Sequence, residues 1–260
     1  MISLRPKLRK IINLQQYSIL RAKPYMGFVL SFINVFVHLG AMGSIIWGGM
    51  MAAPATQAWS QVPLASNGPV RIVAFGDSLT AGYMLPPEGA FPAQLAAKLK
   101  TRGYNIEMIN AGVSGDTTAN GLERFDWSVP DGTDAVILEL GANDALRGIE
   151  PVTARKNLDA ILSKLKARNI EVLLAGMSAP QNWGANYADE FNAIYKDLSQ
   201  TYATLLYPFF LEGVALKPDL NLSDGLHPTV KGIGVIVERI TPAAEALIAR
   251  VLARRVQPAN

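Results

Sequence analysis

A serine, an aspartate and a histidine define the chemistry open to this chain. Ser78 lies in Gly76-Asp77-Ser78-Leu79-Thr80-Ala81-Gly82-Tyr83, directly after the apolar run Val70 to Phe75. Far downstream, Asp224-Gly225-Leu226-His227-Pro228 places a carboxylate and an imidazole three residues apart. A serine hydroxyl attacks poorly until a nearby base takes its proton. An imidazole suits that task, and a carboxylate on its other nitrogen fixes the tautomer and stabilises the imidazolium. The chain has two histidines, and His38 falls in an apolar stretch with the character of a targeting segment. Any histidine chemistry therefore belongs to His227. The residue before a proline avoids helix, so His227 sits in a loop. Asp224 also suits a cap of the following turn.

Two further positions would complete an acyl-transfer site. Asn143, in Gly141-Ala142-Asn143-Asp144, offers an amide donor. Gly112, in Asn110-Ala111-Gly112, offers a backbone N–H where a side chain would block approach. With the Ser78 N–H these make three donors for an oxyanion. A hydroxyl at a helix N-terminus would also feel the positive end of the dipole. Each position has a plain structural reading as well: Ser78 as an N-cap, Asn143 as a turn or cap residue, Gly112 as a strand-end turn. Ser114 is a rival nucleophile, with no better claim on the histidine. No Gly-x-Ser-x-Gly elbow is present, which disfavours the α/β-hydrolase arrangement. No P-loop and no dinucleotide glycine fingerprint is present either.

These residues need elements to position them. Short apolar runs at 70–75, 106–110, 135–140, 172–176 and 204–207 read as strands. Helical patterns at 91–102, 151–168, 187–202 and 229–255 alternate with them, the last interrupted near Pro242. Alternation of this kind implies an α/β fold, a parallel sheet covered by helices on both faces. Ligands bind such sheets at the carboxyl ends of the strands. Ser78, Gly112 and Asn143 all fall at such ends, and Asp224 and His227 precede the last helix.

Composition narrows the function classes. The chain of 260 residues has no cysteine, which excludes thiol nucleophiles, disulfides and thiolate metal sites. One histidine in the folded part excludes a multi-histidine zinc site. No carboxylate cluster has cation-loop spacing, and no metal or cofactor is expected. The excess of positive charge sits in the leader. Arg5, Lys7, Arg9, Lys10, Arg21 and Lys23 have no acidic neighbours, whereas from Arg71 onward 18 basic residues face 21 acidic ones. A nucleic-acid partner is therefore not expected.

The leader itself reads as targeting. Met26 to Ala53 carries no charged side chain and follows the basic segment, and small residues near Ala53 and Ala58 suit signal peptidase. The expected division is a signal peptide or membrane anchor over 1–58, a linker over 59–69 and one catalytic domain over 70–256. A cleaved signal would leave a periplasmic or secreted protein. An uncleaved span would anchor it to the inner membrane, facing the periplasm. Translation from Met26 would remove the basic segment.

Taken together, the blocks GDSLTAGY, NAGVSGDTT, GANDALRG and DGLHP resemble the SGNH (GDSL) hydrolase family over Val70 to Leu252. The details NAGVSGDTT and GANDALRG, and the stretch from ANYADEF to LLYPFFLEGVALKP, resemble its periplasmic thioesterase/lysophospholipase/arylesterase branch. The resemblance implies a three-layer αβα sandwich with a five-stranded parallel, flavodoxin-like sheet. It implies a serine esterase with Ser78 as nucleophile, His227 as base, Asp224 as its orienting acid, and Gly112 and Asn143 in the oxyanion hole.

Apolar side chains near these blocks suggest where an acyl chain would lie: Met84, Leu146, Trp183 and Phe210. The expected partner is a small acyl ester or thioester, including lysophospholipid, handled by a monomer. Membrane contact would come only through the leader or a lipid substrate. Two other readings stand beside this one. One is a carbohydrate O-acetylesterase on the same fold; the other is a non-catalytic lipid-binding envelope protein.

Overall fold

The computed structural model describes residues 68–256. In chain order its elements are β1 (Val70–Gly76), α1 (Ser78–Ala81), α2 (Phe91–Thr101), β2 (Ile106–Gly112), α3 (Thr118–Ser128), β3 (Ala135–Glu139), α4 (Ala142–Leu146), α5 (Pro151–Ala167), β4 (Glu171–Ala175), α6 (Ala185–Tyr202), β5 (Leu205–Tyr207) and α7 (Val230–Val256). The expectations for the leader, and for nearly all of the linker, fall outside the described residues.

The five strands are parallel and ordered β2-β1-β3-β4-β5. Helices α2 and α7 pack on one face, and α3, α5 and α6 on the other. Crossover helices on both faces explain why β3 is wholly buried, apolar from Ala135 to Leu138 and ending at the buried Glu139. Six buried residues of α5 (Pro151, Ala154, Leu158, Ile161, Leu162 and Leu165) form the stripe that meets the sheet and its neighbours. This is the expected three-layer αβα sandwich. Because β1 lies between β2 and β3, the winding reverses there. The loops after β1, β2 and β3 diverge and leave a crevice at the carboxyl edge.

The structure adds two helices to the sequence reading and makes a third continuous. Helix α3 begins at a capping box, where Thr117 and Asn120 exchange bonds between side chains and backbone N–H groups. Helix α4 is a short segment after β3. Helix α7 continues through Pro242, the one place where the pattern left room for a break. Burial of Ile240, Thr241, Ala244 and Leu247 holds the turns around the missing N–H donor. Among the described residues, no helix is long and apolar enough to cross a membrane.

Candidate active site

The nucleophile turn forms where β1 stops. Asp77 caps α1, its Oδ1 accepting the Leu79 N–H at 3.0 Å. Capping therefore falls to Asp77, and Ser78 is left as the first helical residue with its hydroxyl uncommitted to the backbone. Helix α1 is a single turn of four residues, so its dipole is small. What it supplies is the Ser78 N–H, which has no acceptor among the described residues.

The downstream loop brings its two side chains to this turn. His227 Nε2 lies 2.9 Å from Ser78 Oγ, and its Nδ1 lies 2.7 Å from Asp224 Oδ2. Asp224 Oδ1 accepts the N–H groups of Leu226 and His227 at 2.9 and 3.0 Å. Those two bonds and the imidazole hold its carboxyl down at about 2, against an ordinary 3.8. The loop is pinned by the Leu222 N–H to the His227 carbonyl at 2.7 Å and by a bridge between Asn221 and Pro228. The Tyr83 ring lies 4.5 Å from the imidazole, centroid to centroid. Ser114, the rival nucleophile, is exposed in the turn after β2, and the histidine faces Ser78.

Asn143 sits in α4 at the edge of the same crevice. Asp144 fixes that helix by accepting the Thr118 N–H at 2.8 Å and the Thr118 hydroxyl at 2.6 Å. The Asn143 amide donates to the Asp116 carbonyl at 2.9 Å and, more weakly, to Asp77 Oδ2 at 3.3 Å.

Gly112 does not present its N–H to this crevice, contrary to the sequence reading. That N–H donates to Asn110 Oδ1 at 3.0 Å. The glycine is required for packing instead, because a Cβ there would lie 2.2 Å from the Ala81 backbone nitrogen. We expect Gly112→Ala to lower the melting temperature by several degrees, the usual scale of an overpacked site. An unchanged melting temperature would contradict this packing role. Gly115, the second glycine of the same block, has an uncommitted N–H among the described residues. The residue closes the Val113–Asp116 turn, where the Asp116 N–H reaches the Val113 carbonyl at 3.2 Å. Its φ of +88° at the third turn position favours glycine. Arg147 takes the Gly115 carbonyl at 2.8 Å, and the Gly115 N–H has no acceptor among the described residues. The block NAGVSG holds two glycines, and the turn pattern Val-Ser-Gly-Asp was the available signal for the second.

Beneath the nucleophile turn lie two buried carboxyls. Glu139 accepts the Thr80 hydroxyl at 2.7 Å and the Asp77 N–H at 3.4 Å through Oε2, while its Oε1 has no partner. Burial pushes Glu139 well above the carboxylate range, and the neighbouring Asp77 charge adds to that. Burial also lifts Asp77 to about 6, opposed by the Leu79 N–H, His227 and Asn143. Ionising Asp77 therefore opposes folding: stability it contributes below 3.8 is lost as pH rises through about 6.

The proposed acyl contacts divide. Met84 is 78% exposed, and Leu146 and Trp183 are about half exposed, with the Trp183 indole N–H on the Ala145 carbonyl at 2.9 Å. Phe210 is fully buried, its ring edge-on to Phe91 at 5.0 Å. It belongs to the core and is withdrawn as a substrate contact. The notch against Ser78 and His227 is lined by Leu79, Gly82, Tyr83, Leu85, Pro228 and Ile233. Tyr83 and Ile233 were missed in the sequence, since an aromatic or aliphatic residue type does not reveal the face it covers. Among the described residues, no group of three or more histidine, aspartate or glutamate side chains is placed to hold a metal ion.

A doubly wound sheet carrying serine, histidine and aspartate in one hydrogen-bonded line at its switch point has the architecture of a serine hydrolase. Comparison with known proteins sharpens that class. Residues 74–233 match the model of the GDSL-like lipase/acylhydrolase family, and the chain belongs to that family. It is 41% identical over 165 residues to an arylesterase of Vibrio mimicus, covering 63% of this chain and 82% of that protein. It is 39% identical over 158 residues to thioesterase 1/protease 1/lysophospholipase L1 of Escherichia coli, covering 60% of this chain and 74% of that protein. Among solved structures, AlinE4, an SGNH-hydrolase family esterase, superposes with a TM-score of 0.59 at 48% identity, over 68% of this chain and 96% of that one. The protein is a serine ester hydrolase.

Proposed function

We propose that the protein hydrolyses medium- and long-chain acyl esters and thioesters, lysophospholipids among them, through an acyl-enzyme on Ser78. The observation that carries this reading is the line Asp224–His227–Ser78, with contacts of 2.7 and 2.9 Å. Ser78 Oγ attacks the substrate carbonyl carbon while His227 Nε2 takes the hydroxyl proton. Asp224 keeps the other proton on Nδ1 and stabilises the imidazolium. The developing oxyanion meets the N–H groups of Ser78 and Gly115 and the Asn143 amide. His227 then protonates the leaving oxygen or sulfur, and the bond to it breaks. A water, deprotonated in turn by His227, attacks the acyl carbon; the bond to Ser78 Oγ breaks, His227 returns the proton to that oxygen, and the acid leaves. Asp224, held near 2, stays ionised throughout the range in which such enzymes work.

Asn143→Ala is expected to lower kcat by roughly 10²–10³-fold with little change in KM. A raised KM at unchanged kcat would make Asn143 a substrate-binding residue instead.

The choice of longer acyl groups draws on the apolar rim of Tyr83, Met84, Leu146 and Trp183, all exposed near the carboxyl edge. The names of the Escherichia coli relative support thioesters and lysophospholipids as substrates. The basic segment followed by an uncharged apolar run supports export to the periplasm. All catalytic groups come from one chain, which fits a monomer. Hydrolysis of p-nitrophenyl esters from acetate to palmitate, with Ser78→Ala as control, tests the reading. Activity rising with chain length and lost in the variant supports it. Activity confined to acetate would favour an O-acetylesterase, and activity at no chain length a lipid-binding protein.

A further inference from the structure

We propose that Arg124 is a positioning residue that sets the geometry of the oxyanion hole; this rests on the donor assignment made above. Arg124 lies on α3, outside the four sequence blocks, and its side chain is 11% exposed. Its Nε donates to Asp116 Oδ2 at 2.5 Å, its Nη2 to the Gly76 carbonyl at 2.8 Å, and its Nη1 to the Ser128 hydroxyl at 2.9 Å. The guanidinium carbon lies 4.3 Å from the centre of the Phe75 ring, which fixes the fork from the side.

The partners of that fork give it a role beyond packing. The three oxyanion donors stand on three different segments, which follow β1, β2 and β3. At a switch point these segments diverge, and the sheet ladder between β1 and β2 ends at the pair Gly76–Gly112. Arg124 ties the segments together past that end. Through Gly76 it holds the strand terminus that presents the Ser78 N–H. Through Asp116 it holds the turn that presents the Gly115 N–H. The Asp116 carbonyl in turn accepts the Asn143 amide at 2.9 Å, so the third donor is referred to the same group. The Gly76 carbonyl also receives the Val113 N–H at 3.0 Å, closing the frame between the first two segments.

Oxyanion donors act by being in place before charge develops, and a displacement near 1 Å can cost about 10²-fold in rate. Arginine suits the task because its planar fork binds several acceptors at fixed angles. A lysine ammonium is a point charge that would serve one acceptor well and lose the others.

The experiment uses the full chain with two variants. Arg124→Lys keeps the charge and removes the fork. Arg124→Met combined with Asp116→Asn removes the ion pair without leaving a buried charge alone, so folding is preserved. Active sites are counted with a fluorophosphonate, and kcat is measured per titrated site on one p-nitrophenyl ester. We expect kcat per site to fall about 10- to 100-fold in both variants, with KM within about threefold of the parent and Ser78 phosphonylation slowed in parallel. A purely structural arginine would lower the melting temperature or the titratable fraction and leave the surviving sites at full speed. A kcat per site within about twofold of the parent in both variants, or a raised KM at unchanged kcat, would overturn the proposal. Failure of the parent enzyme to be labelled at Ser78 would overturn the nucleophile assignment itself, and is distinguishable because it needs no variant.

Discussion

Replacing Ser78 by alanine is expected to lower kcat by about 10⁴-fold or more, with the fold and melting temperature unchanged. The size follows from what remains. Without the hydroxyl no acyl-enzyme forms, and His227 can only assist direct attack by water on the substrate. The oxyanion donors and the substrate contacts survive, which sets the residual rate above that in solution. Ser78 contributes little to stability, because Asp77 does the capping of α1 and the Ser78 hydroxyl bonds only to the imidazole. The check is steady-state hydrolysis of a p-nitrophenyl ester, beside thermal unfolding of both proteins. Turnover within about tenfold of the parent would remove Ser78 as nucleophile.

Asp224→Asn is expected to cost about 10³- to 10⁴-fold in kcat, from an exchange of one atom. The loop geometry dictates this. Asp224 Oδ1 accepts two backbone N–H groups, so the amide oxygen of an asparagine must take that place. Its NH₂ group then faces His227 Nδ1, where Oδ2 stood at 2.7 Å. Nδ1 must become an acceptor, the ring proton moves to Nε2, and the lone pair directed at Ser78 is gone. Asp224→Ala imposes no tautomer, and the site is open enough for water to reach Nδ1. We therefore expect alanine to be no more damaging than asparagine at this position. A kcat for Asp224→Asn within about tenfold of the parent would show that the carboxylate does not set the tautomer.

The fold was legible because parallel strands buried on both faces leave nearly continuous apolar runs, and Ala135 to Leu140, broken only by Glu139, is the clearest of them. The order of the strands was less accessible than their existence, because an apolar run does not name its neighbour in the sheet. Helix α3 escaped notice because Asn120 and Gly121 dilute its pattern; its start is marked by a capping box that uses asparagine where glutamate or glutamine is usual. Helix α7 hid its continuity behind Pro242, where tertiary burial outweighs the local cost.

Within the candidate site, Ser78, Asp224, His227 and Asn143 stood out by type, and the structure brings their side chains to one edge of the sheet. Gly112 was not separable from Gly115 by type. Strand register separates them: Gly112 pairs with Gly76 inside the sheet and lies against Ala81, while Gly115 lies beyond the ladder in a turn with positive φ. Phe210, which belongs to the core, shows the same difficulty for apolar residues. Proximity in sequence to a chemical block does not decide whether a side chain faces the crevice, the core or water. Arg124 was invisible for another reason, since its acceptors come from segments 48 and 8 residues away and two of its contacts leave no mark in any local pattern.

The central claim is that acyl transfer passes through Ser78. Mass spectrometry of the enzyme acid-quenched during turnover of a p-nitrophenyl ester tests it most directly. One acyl group per chain is expected, on the peptide containing Ser78 and absent from Ser78→Ala. An acyl group on Ser114 or any other residue would contradict it.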